Sequence, residues 1–475
     1  MPPPRLKAIL PPEVSAVSLA DPAAVFKLVL SAEEPSTLRE ALHATSIEWT
    51  PQQVNTILKL LWNHAPKALL FFNILSHHPS YVHHPSSFDH AIDLSSRLRD
   101  FRTTWNLLHR MRSLHFSLTV NTFSILAHRY VSAGRPGRAI QLFFSMHKHG
   151  CVQDLNLFNT LLDVLCKSRK MEIADKLFVE VSGKFRPDVA SYNIMANGWC
   201  LAKKVPRALG VLKKMVVKGL SPNLSSYNII LNGYFRVGQA DKAWKFYLEM
   251  KKRCCEADVV TYTTLIHGLG ELGEIKRARK VFDCMAEEGV LPSVVTYNAL
   301  IQALCRKDCA KNAVLVLEEM ARKGYAANVM TYNLVIKGLC REGKIESGLE
   351  VMKRMKMEKL EPNVQTYNVI IRCFCDAGEI EGGMDMVREM EVCGCLPNAD
   401  TYNVMISGML ARRKREDVVG AGRLVVEMVE RGFYPRNITF NRVLDGLLLT
   451  GNQEVARHIL RLLSGSGPLP RGLRL

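Results

Sequence analysis

Residues 293–333 read SVVTYNALIQALCRKDCAKNAVLVLEEMARKGYAANVMTYN, and this stretch begins and ends on nearly the same phrase. Thr-Tyr-Asn occupies residues 296–298 and returns at residues 331–333. Behind Thr296, which we predict as a helix N-cap, apolar residues from Tyr297 onward follow helical spacing. A polar break and a second amphipathic segment come next, and Gly324 fits the stop of that second helix. The stretch therefore predicts a helical hairpin.

The same step of 35 residues organises most of the chain. A short polar residue marks each step, at Ser124, Asn159, Asn193, Asn228, Thr263, Asn298, Asn333, Asn368, Asn403 and Asn441. Further columns keep the step: Met215, Met250, Met285, Met320, Met355 and Met390; the small residues Ala208, Ala243, Ala278, Ala313, Gly348 and Gly383; and Cys166, Cys200, Cys305, Cys340 and Cys375. We expect the methionine and cysteine columns to pack in the core. One hairpin cannot bury its own apolar face, so the row predicts an all-α, right-handed α-solenoid with a long concave surface.

The repeat divides the chain into five parts. We predict an N-terminal segment with a candidate targeting function, a lead-in helical hairpin, a degenerate repeat, nine regular repeats, and a final partial repeat with a basic tail. In that order they cover residues 1–46, 47–84, 85–119, 120–436 and 437–475.

Charge and cysteine content narrow the classes of partner and compartment. Lys and Arg number 63 against 45 Asp and Glu, so the formal net charge is +18. Such a surplus favours an acidic partner, either nucleic acid or an anionic membrane surface, over a charge that serves solubility alone. An odd number of cysteines, 13, without a secretory signal indicates reduced thiols. No run of apolar residues reaches the length of a membrane span.

Motifs for catalysis and metal binding are missing from the sequence. No Cys-x-x-Cys and no His-x-Glu occurs, which a zinc deaminase would need. No Gly-rich phosphate loop ending in Lys-Ser/Thr occurs either. We therefore expect a binding protein with no catalytic residues, no metal, no cofactor, no small-molecule substrate and no membrane contact.

The repeated pattern VVTYNALIQALCRK…A…VLEEMARKG resembles the pentatricopeptide repeat, and uniform repeats near 35 residues resemble its P-class from plant organelles. The alternative is the tetratricopeptide repeat, whose Trp and Leu-Gly positions do not recur here. The resemblance implies binding of single-stranded RNA, one base per repeat. It also implies a location in the mitochondrion, with the chloroplast as the alternative.

In this family a base is read by the marked polar residue together with the last residue of its repeat. The resemblance implies these pairs: Ser124 with Asp154, Asn159 with Asp188, Asn193 with Asn223, Asn228 with Asp258, Thr263 with Ser293, Asn298 with Asn328, Asn333 with Asn363, and Asn368 with Asn398. Thr or Ser at the first position favours a purine and Asn a pyrimidine; a final Asp favours G or U and a final Asn A or C. The implied target is G, U, C/U, U, a purine and three pyrimidines richer in C. Asn403 with Arg436 and Asn441 with Arg471 depart from the pattern.

Two further columns are expected to contact RNA. The family places an aliphatic residue between bases, a role that Val260, Val295, Met330 and Ile438 fit. Polar residues occupy this column elsewhere, at Asn121, Asn156, Ser225, Gln365 and Asp400, and tight binding is not expected at those repeats. Phosphate contacts are expected from the column of Lys167, Arg236, Arg306 and Arg341, for which ordinary solvated basic residues are the alternative.

Further stretches, among them DVLCKSRKMEIADKLF and EIKRARKVFD, resemble a plant mitochondrial splicing factor for a group II intron. That intron lies in the transcript for a subunit of respiratory complex I. The resemblance implies splicing as the function, with other splicing factors as candidate partners. Stabilisation of RNA ends and activation of translation are alternatives. A protein-binding helical scaffold is the alternative from another class.

Overall fold

A computed structural model describes residues 21–32, 34–43, 48–150, 152–252, 256–412, 414–431, 433 and 435–466. In this part of the chain every regular element is helical, and the expected all-α fold is confirmed. The chain divides into two compact units, Met1–Gly233 and Tyr234–Leu475, and the division falls inside one helix. Each unit is described by itself.

The first unit contains the residues predicted as the lead-in hairpin, the degenerate repeat and the first regular repeats. Its helices are α1 (Pro22–Ser31), α2 (Pro35–His43), α3 (Pro51–Leu60), α4 (Ala65–Leu75), α5 (Pro85–Arg97), α6 (Phe101–Ser113), α7 (Val120–Ser132), α8 (Pro136–Ser145), α9 (Leu155–Lys167), α10 (Met171–Val181), α11 (Val189–Leu201), α12 (Val205–Val217) and α13 (Leu224–Arg236), the helix in which the division falls. Short 3₁₀ segments follow α3 and α8, at Leu61–Asn63 and Met146–His149.

In each repeat the odd-numbered helix is the first helix of the hairpin, and the even-numbered helix is the second. The second unit continues this alternation. Its helices are α14 (Ala240–Lys252), α15 (Val259–Glu271), α16 (Ile275–Glu287), α17 (Val294–Arg306), α18 (Ala310–Arg322), α19 (Val329–Arg341), α20 (Ile345–Met357), α21 (Val364–Ala377), α22 (Ile380–Val392), α23 (Ala399–Arg412), α24 (Arg415–Glu430), α25 (Asn437–Leu449) and α26 (Gln453–Ser466).

Local signals explain where the helices begin and end. The first helices α9, α11, α15, α17, α19 and α21 each start behind an Asp, Asn or Ser whose side chain accepts from a backbone N–H of the first turn. In α17 this N-cap is Ser293, and the prediction of Thr296 was wrong. Thr296 is instead the third helical residue, and its hydroxyl completes a capping box with the Ser293 backbone. Gly324, with φ of 79°, follows α18 as expected for a helix stop.

Stacking runs through the first helices. In the second unit α15 contacts α17, α17 contacts α19, and α19 contacts α21. The second helices α16, α18, α20, α22, α24 and α26 each pack against the first helix of their own repeat. The predicted core columns are confirmed: the methionines from Met215 to Met390 are buried, and so are the alanines of the small-residue column. This arrangement leaves one face of the successive first helices open.

The cysteine column has a specific packing partner. A glycine of the following first helix lies against the cysteine in four places: Cys166 with Gly198, Cys200 with Gly233, Cys305 with Gly338, and Cys375 with Gly408. Burial raises the pKa of the Cys166 and Cys305 thiols to about 12, so both are neutral at physiological pH. These cysteines act as small core residues, as their column predicted.

Two buried tyrosines of the same column differ in their polar contacts, which gives a test of the core. The hydroxyl of Tyr262 donates to Glu288 at 2.7 Å, whereas the fully buried hydroxyl of Tyr297 has no hydrogen-bond partner among the described residues. We expect Tyr262→Phe to lower the free energy of unfolding by about 1 kcal/mol. Tyr297→Phe should leave it unchanged or raise it slightly, because it removes an unsatisfied polar group.

Urea denaturation followed by circular dichroism measures both changes. An equal loss in the two variants would contradict the difference in hydrogen bonding.

Candidate nucleic-acid interface

The two residues of each predicted base-reading pair belong to different helices. The first lies in the second turn of a first helix, and the second is the N-cap of the next first helix. Asn159 lies in α9, for example, and its expected partner Asp188 caps α11. Contacts between successive first helices therefore decide whether a pair comes together.

Asn159 and Asp188 do come together, through a third residue. The Asn159 amide nitrogen lies 3.4 Å from Asp188 Oδ1, and the Ser191 hydroxyl lies 2.7 Å from the Asn159 amide oxygen. Asp188 Oδ1 also accepts from the Ser191 backbone N–H at 2.8 Å. Burial opposes ionisation of Asp188, but hydrogen bonds from Ser191 and Asn159 outweigh it and hold the pKa of this carboxyl below its ordinary value. Asp188 is therefore an acceptor.

Three further repeats show the same arrangement with an asparagine cap. Each joins a reading asparagine, a capping asparagine and a capping-box hydroxyl: Asn193, Asn223 and Ser226; Asn333, Asn363 and Thr366; Asn368, Asn398 and Thr401. The hydroxyl lies 2.6 or 2.7 Å from the reading amide oxygen. The reading amide nitrogen lies 3.3 to 3.5 Å from the oxygen of the capping amide.

In the repeat of Thr263 and Ser293 the reading residue is itself a hydroxyl. Thr263 Oγ1 lies 2.6 Å from the Val259 carbonyl oxygen and 2.8 Å from Thr296 Oγ1. Ser293 Oγ lies 3.0 Å from the same Thr296 hydroxyl. Thr296 therefore links the two predicted reading residues.

Ser124, Asn298 and Asn403 are not joined to their predicted partners in this way. No described hydrogen bond connects Ser124 with Asp154, because Leu157 stands where other repeats carry the hydroxyl. The amide oxygen of Asn298 is buried without a described partner, although Asn328 caps α19 as usual. Asn403 donates to the Ala399 carbonyl of its own helix at 2.6 Å. Asn228 and Asp258 belong to the two different units, and Arg471 lies outside the described residues.

Sequence reasoning missed this hydroxyl column: Ser191, Ser226, Thr296, Thr331, Thr366 and Thr401, all buried. A signal was present, because a Thr or Ser stands two residues before most reading positions, the exception being Leu157 before Asn159. From the sequence, its member Thr296 is predicted only to cap a helix.

The column expected to lie between bases is exposed although it is apolar. Val260, Val295, Met330 and Ile438 expose 59%, 64%, 62% and 77% of their surface, each at the second residue of a first helix. A buried apolar residue would belong to the core, so this exposure leaves the side chains available to a partner. In the same column Asn121 donates to Asp89 at 2.6 Å, and Asp400 pairs with Arg436 at 2.7 Å.

A cleft of about 730 Å³ in the second unit brings several columns together. First helices α19 and α21 line it with Met330, Asn333, Lys337, Arg341, Asn368 and Arg372. Asp400 of α23 and Arg436 complete this part of the lining. Asp376 and Asp400 are the carboxylates of its lining, so four cations face two anions. The cleft therefore combines polar amides, an exposed apolar side chain and positive charge.

The four predicted phosphate residues differ in their surroundings. Lys167 pairs with Asp163 at 2.6 Å, and Arg306 pairs with Glu271 of the preceding first helix. Arg236 is exposed at the end of α13, and Arg341 lines the cleft. Lys337 and Arg372 were missed by sequence reasoning, although they also stand one 35-residue step apart.

Two other kinds of site were sought. None of the described helices combines the length and the apolar character of a membrane span. Within the described residues no group of three or more His, Cys, Asp and Glu side chains is placed to hold a metal ion.

Comparisons with known proteins identify similar repeats and similar chains. The PPR repeat family model matches residues 153–200, 187–233, 222–271, 257–306, 292–341, 327–376 and 362–411, and a PPR repeat model matches residues 121–151. A mitochondrial pentatricopeptide repeat-containing protein of Arabidopsis thaliana is 70% identical over 453 residues, which are 94% of each chain. Another from the same plant is 28% identical over 38% of this chain and 35% of its own.

Among solved structures, the pentatricopeptide repeat protein PPR10 in complex with an 18-nucleotide psaJ RNA element has a similar fold. The TM-score is 0.50 at 21% identity, over 94% of this chain and 69% of that one. A cysteine-substituted form of PPR10 with the same RNA gives a TM-score of 0.50 at 20% identity, over 93% of this chain and 64% of that one.

Proposed function

Because the chain belongs to the pentatricopeptide repeat family, we propose that it binds single-stranded RNA, with one base contacted by each regular repeat. The mitochondrial localisation expected from the sequence is confirmed by the relative that is 70% identical over nearly the whole chain. The observation that carries the proposal is the cleft of the second unit, where amide pairs, an exposed methionine and cations share one face of successive first helices.

Each part of the cleft matches one part of a nucleotide. Asn333 and Asn368 offer amide groups of the kind that bond to a Watson–Crick edge. Met330, exposed beside them, offers an apolar surface against which a base can lie. Lys337, Arg341 and Arg372 supply positive charge for the phosphates. PPR10, whose fold is similar, was solved with an RNA strand bound.

The order of the repeats supports a target of defined sequence. Following the pairs assigned from the sequence, the protein would bind G, U, C/U, U, a purine and three pyrimidines richer in C. Recognition by the last repeats would be weaker, because Arg436 pairs with Asp400 and no described hydrogen bond joins it to Asn403.

Within mitochondrial RNA processing we propose splicing of a group II intron in a complex I subunit transcript as the role. A bound segment is held single-stranded, so it cannot mispair while the intron folds. Stabilisation of an RNA end and activation of translation use the same binding and remain alternative roles. Sequencing of RNA that co-purifies with the protein from mitochondria separates them, because only a splicing factor retains intron-containing precursor.

A protein-binding scaffold is the alternative from another class, since it would use the same open face of the first helices. Selection from a random single-stranded RNA pool tests the two. Enrichment of a pyrimidine-rich motif supports RNA binding, and absence of any enriched motif would favour the scaffold.

A single substitution tests the assignment of the reading column. Asn333→Thr should shift the preference at the aligned base from pyrimidine to purine, by about 1 kcal/mol, because Thr366 can contact the new hydroxyl as Thr296 contacts Thr263. Fluorescence anisotropy with two RNAs that differ only at this base measures the shift. Unchanged preference in the variant would show that the column does not read the base.

A further inference from the structure

We infer that the capping-box hydroxyl of the following repeat determines which polar group a reading residue presents to RNA. It acts as a positioning group and does not itself touch the base. The inference rests on the proposed function and deepens it. It concerns the repeats of Asn193, Asn333 and Asn368, where Ser226, Thr366 and Thr401 supply the hydroxyl.

The first step is set by a backbone group that can only donate. In the repeat of Asn333, the Thr366 backbone N–H donates to Asn363 Oδ1 at 3.1 Å. The capping amide must therefore turn its oxygen toward the start of α21. The same bond, at 3.0 Å, orients Asn223 and Asn398. The backbone bond thus fixes the position of the capping amide oxygen, whatever residue stands at the reading position.

The second step assigns the proton of the hydroxyl. Thr366 Oγ1 accepts from the Asn363 backbone N–H at 3.2 Å, so its own proton is free to be donated. The Asn333 amide oxygen lies at 2.7 Å and the Asn363 oxygen, already occupied, at 3.2 Å. The proton therefore goes to Asn333. Distances are similar for Ser226 and Thr401, at 2.6 and 2.7 Å to the reading oxygen against 3.0 and 3.1 Å to the capping oxygen.

The third step follows for the reading amide. With its oxygen bonded to the hydroxyl, Asn333 turns its NH₂ toward Asn363 Oδ1, at 3.5 Å, and toward the cleft that it lines. The reversed amide would place two oxygens 3.5 Å apart, which is unfavourable. The asparagine thus presents a hydrogen-bond donor, and a base must offer it an acceptor.

A threonine at the reading position gives the opposite polarity. Thr263 donates its only proton to the Val259 carbonyl at 2.6 Å. Its contact with Thr296, at 2.8 Å, must then be one in which Thr263 accepts. The remaining lone pair of Thr263 makes it an acceptor toward RNA. The same hydroxyl column therefore supports donors at asparagine repeats and an acceptor at the threonine repeat.

Repeats without this contact should discriminate less between bases. Asn298 is one of them, because Thr331 bonds to Asn328 at 3.0 Å and not to Asn298. Ser124 is another, since Leu157 carries no hydroxyl. In the repeat of Asn159 the hydroxyl of Ser191 lies 2.7 Å from the reading oxygen and 2.8 Å from Asp188, so its proton is shared between two acceptors.

The test compares three variants of the full chain. Thr366→Val removes the hydroxyl with little change in volume, and Thr366→Ser restores it, as Ser226 shows in another repeat. Thr331→Val is the matched control, because Thr331 makes the same capping bonds but does not contact a reading amide. Each protein selects RNA from a randomised 12-nucleotide single-stranded pool, and the bound RNA is sequenced. Thermal melting reports the stability of each variant.

We expect Thr366→Val to lower the pyrimidine preference at the base aligned with Asn333 by about tenfold, with the other positions unchanged. Thr366→Ser should keep this preference. Thr331→Val should leave the preference at the base aligned with Asn298 as it is in the wild type. Preserved preference in Thr366→Val would overturn the inference, as would equal flattening in Thr366→Val and Thr331→Val. A wild-type chain that enriches no motif would instead overturn the proposed function, and this inference with it.

Discussion

Replacing Lys337, Arg341 and Arg372 with glutamine should weaken RNA binding about fiftyfold at 0.15 M salt. All three are exposed, line the same cleft and form no ion pair with another described residue. Each phosphate neutralised on a single strand contributes roughly 0.7 to the slope of log affinity against log salt. Three contacts extrapolated from 1 M to 0.15 M salt give about 1.7 log units. The slope itself should fall by roughly 2.

Anisotropy titrations with one RNA over a range of salt concentrations measure both quantities. The matched control replaces Lys242, Lys280 and Lys353, three exposed lysines on the second helices α14, α16 and α20. It removes the same charge from the protein but not from the cleft, so the salt slope should stay near that of the wild type. Equal weakening by the two triple variants would mean that net charge, and not the cleft, drives binding.

Gly338→Ala should lower the free energy of unfolding by about 2 kcal/mol, because it overpacks the contact between successive first helices. A Cβ at this position would lie 2.7 Å from the Cβ of Cys305 and 3.4 Å from its Cα. Backbone and Cβ atoms cannot move away as the end of a long side chain can. Either α17 and α19 must separate or their side chains must leave favourable rotamers.

Gly210→Ala provides a control of opposite sign. Gly210 lies inside α12, and a Cβ there would meet no atom within 4 Å. The same substitution should therefore stabilise by about 0.5–1 kcal/mol through helix propensity alone. Urea denaturation of both variants gives the comparison, and Cys305→Ala in the Gly338→Ala background should recover part of the loss. Two variants of equal stability would contradict close packing at Gly338.

The sequence predicts the fold well because the fold depends on periodicity. Apolar residues at helical spacing, Gly324 behind a helix and a column of methionines each follow from one-dimensional pattern. The N-cap of α17 was assigned wrongly because Ser293 and Thr296 are both good capping residues, and only the backbone hydrogen bonds distinguish them. A pattern locates the capping region more reliably than the capping residue.

Side-chain pairing could not be predicted in the same way. Asn298 and Asn333 stand in the same column within the same Thr-Tyr-Asn phrase, yet only Asn333 bonds to the following hydroxyl. No single-residue pattern records this difference. Arg306 and Arg341 also share a column, but Glu271 pairs with the first and not with the second. The sequence therefore predicts which columns carry positive charge. It does not predict whether an ion pair within the protein already neutralises that charge.

The second residue of a predicted reading pair is also the N-cap of the next helix, and this double role bears on how specificity would evolve. Asp, Asn and Ser cap helices about equally well, and these are the residues found at Asp188, Asn223, Ser293 and Asn363. Exchange among them alters the groups offered to a base at little cost to folding. Arg436 departs from this set, and its side chain does not cap α25. If these residues read bases as proposed, mutations that retarget the protein are among those its scaffold tolerates best.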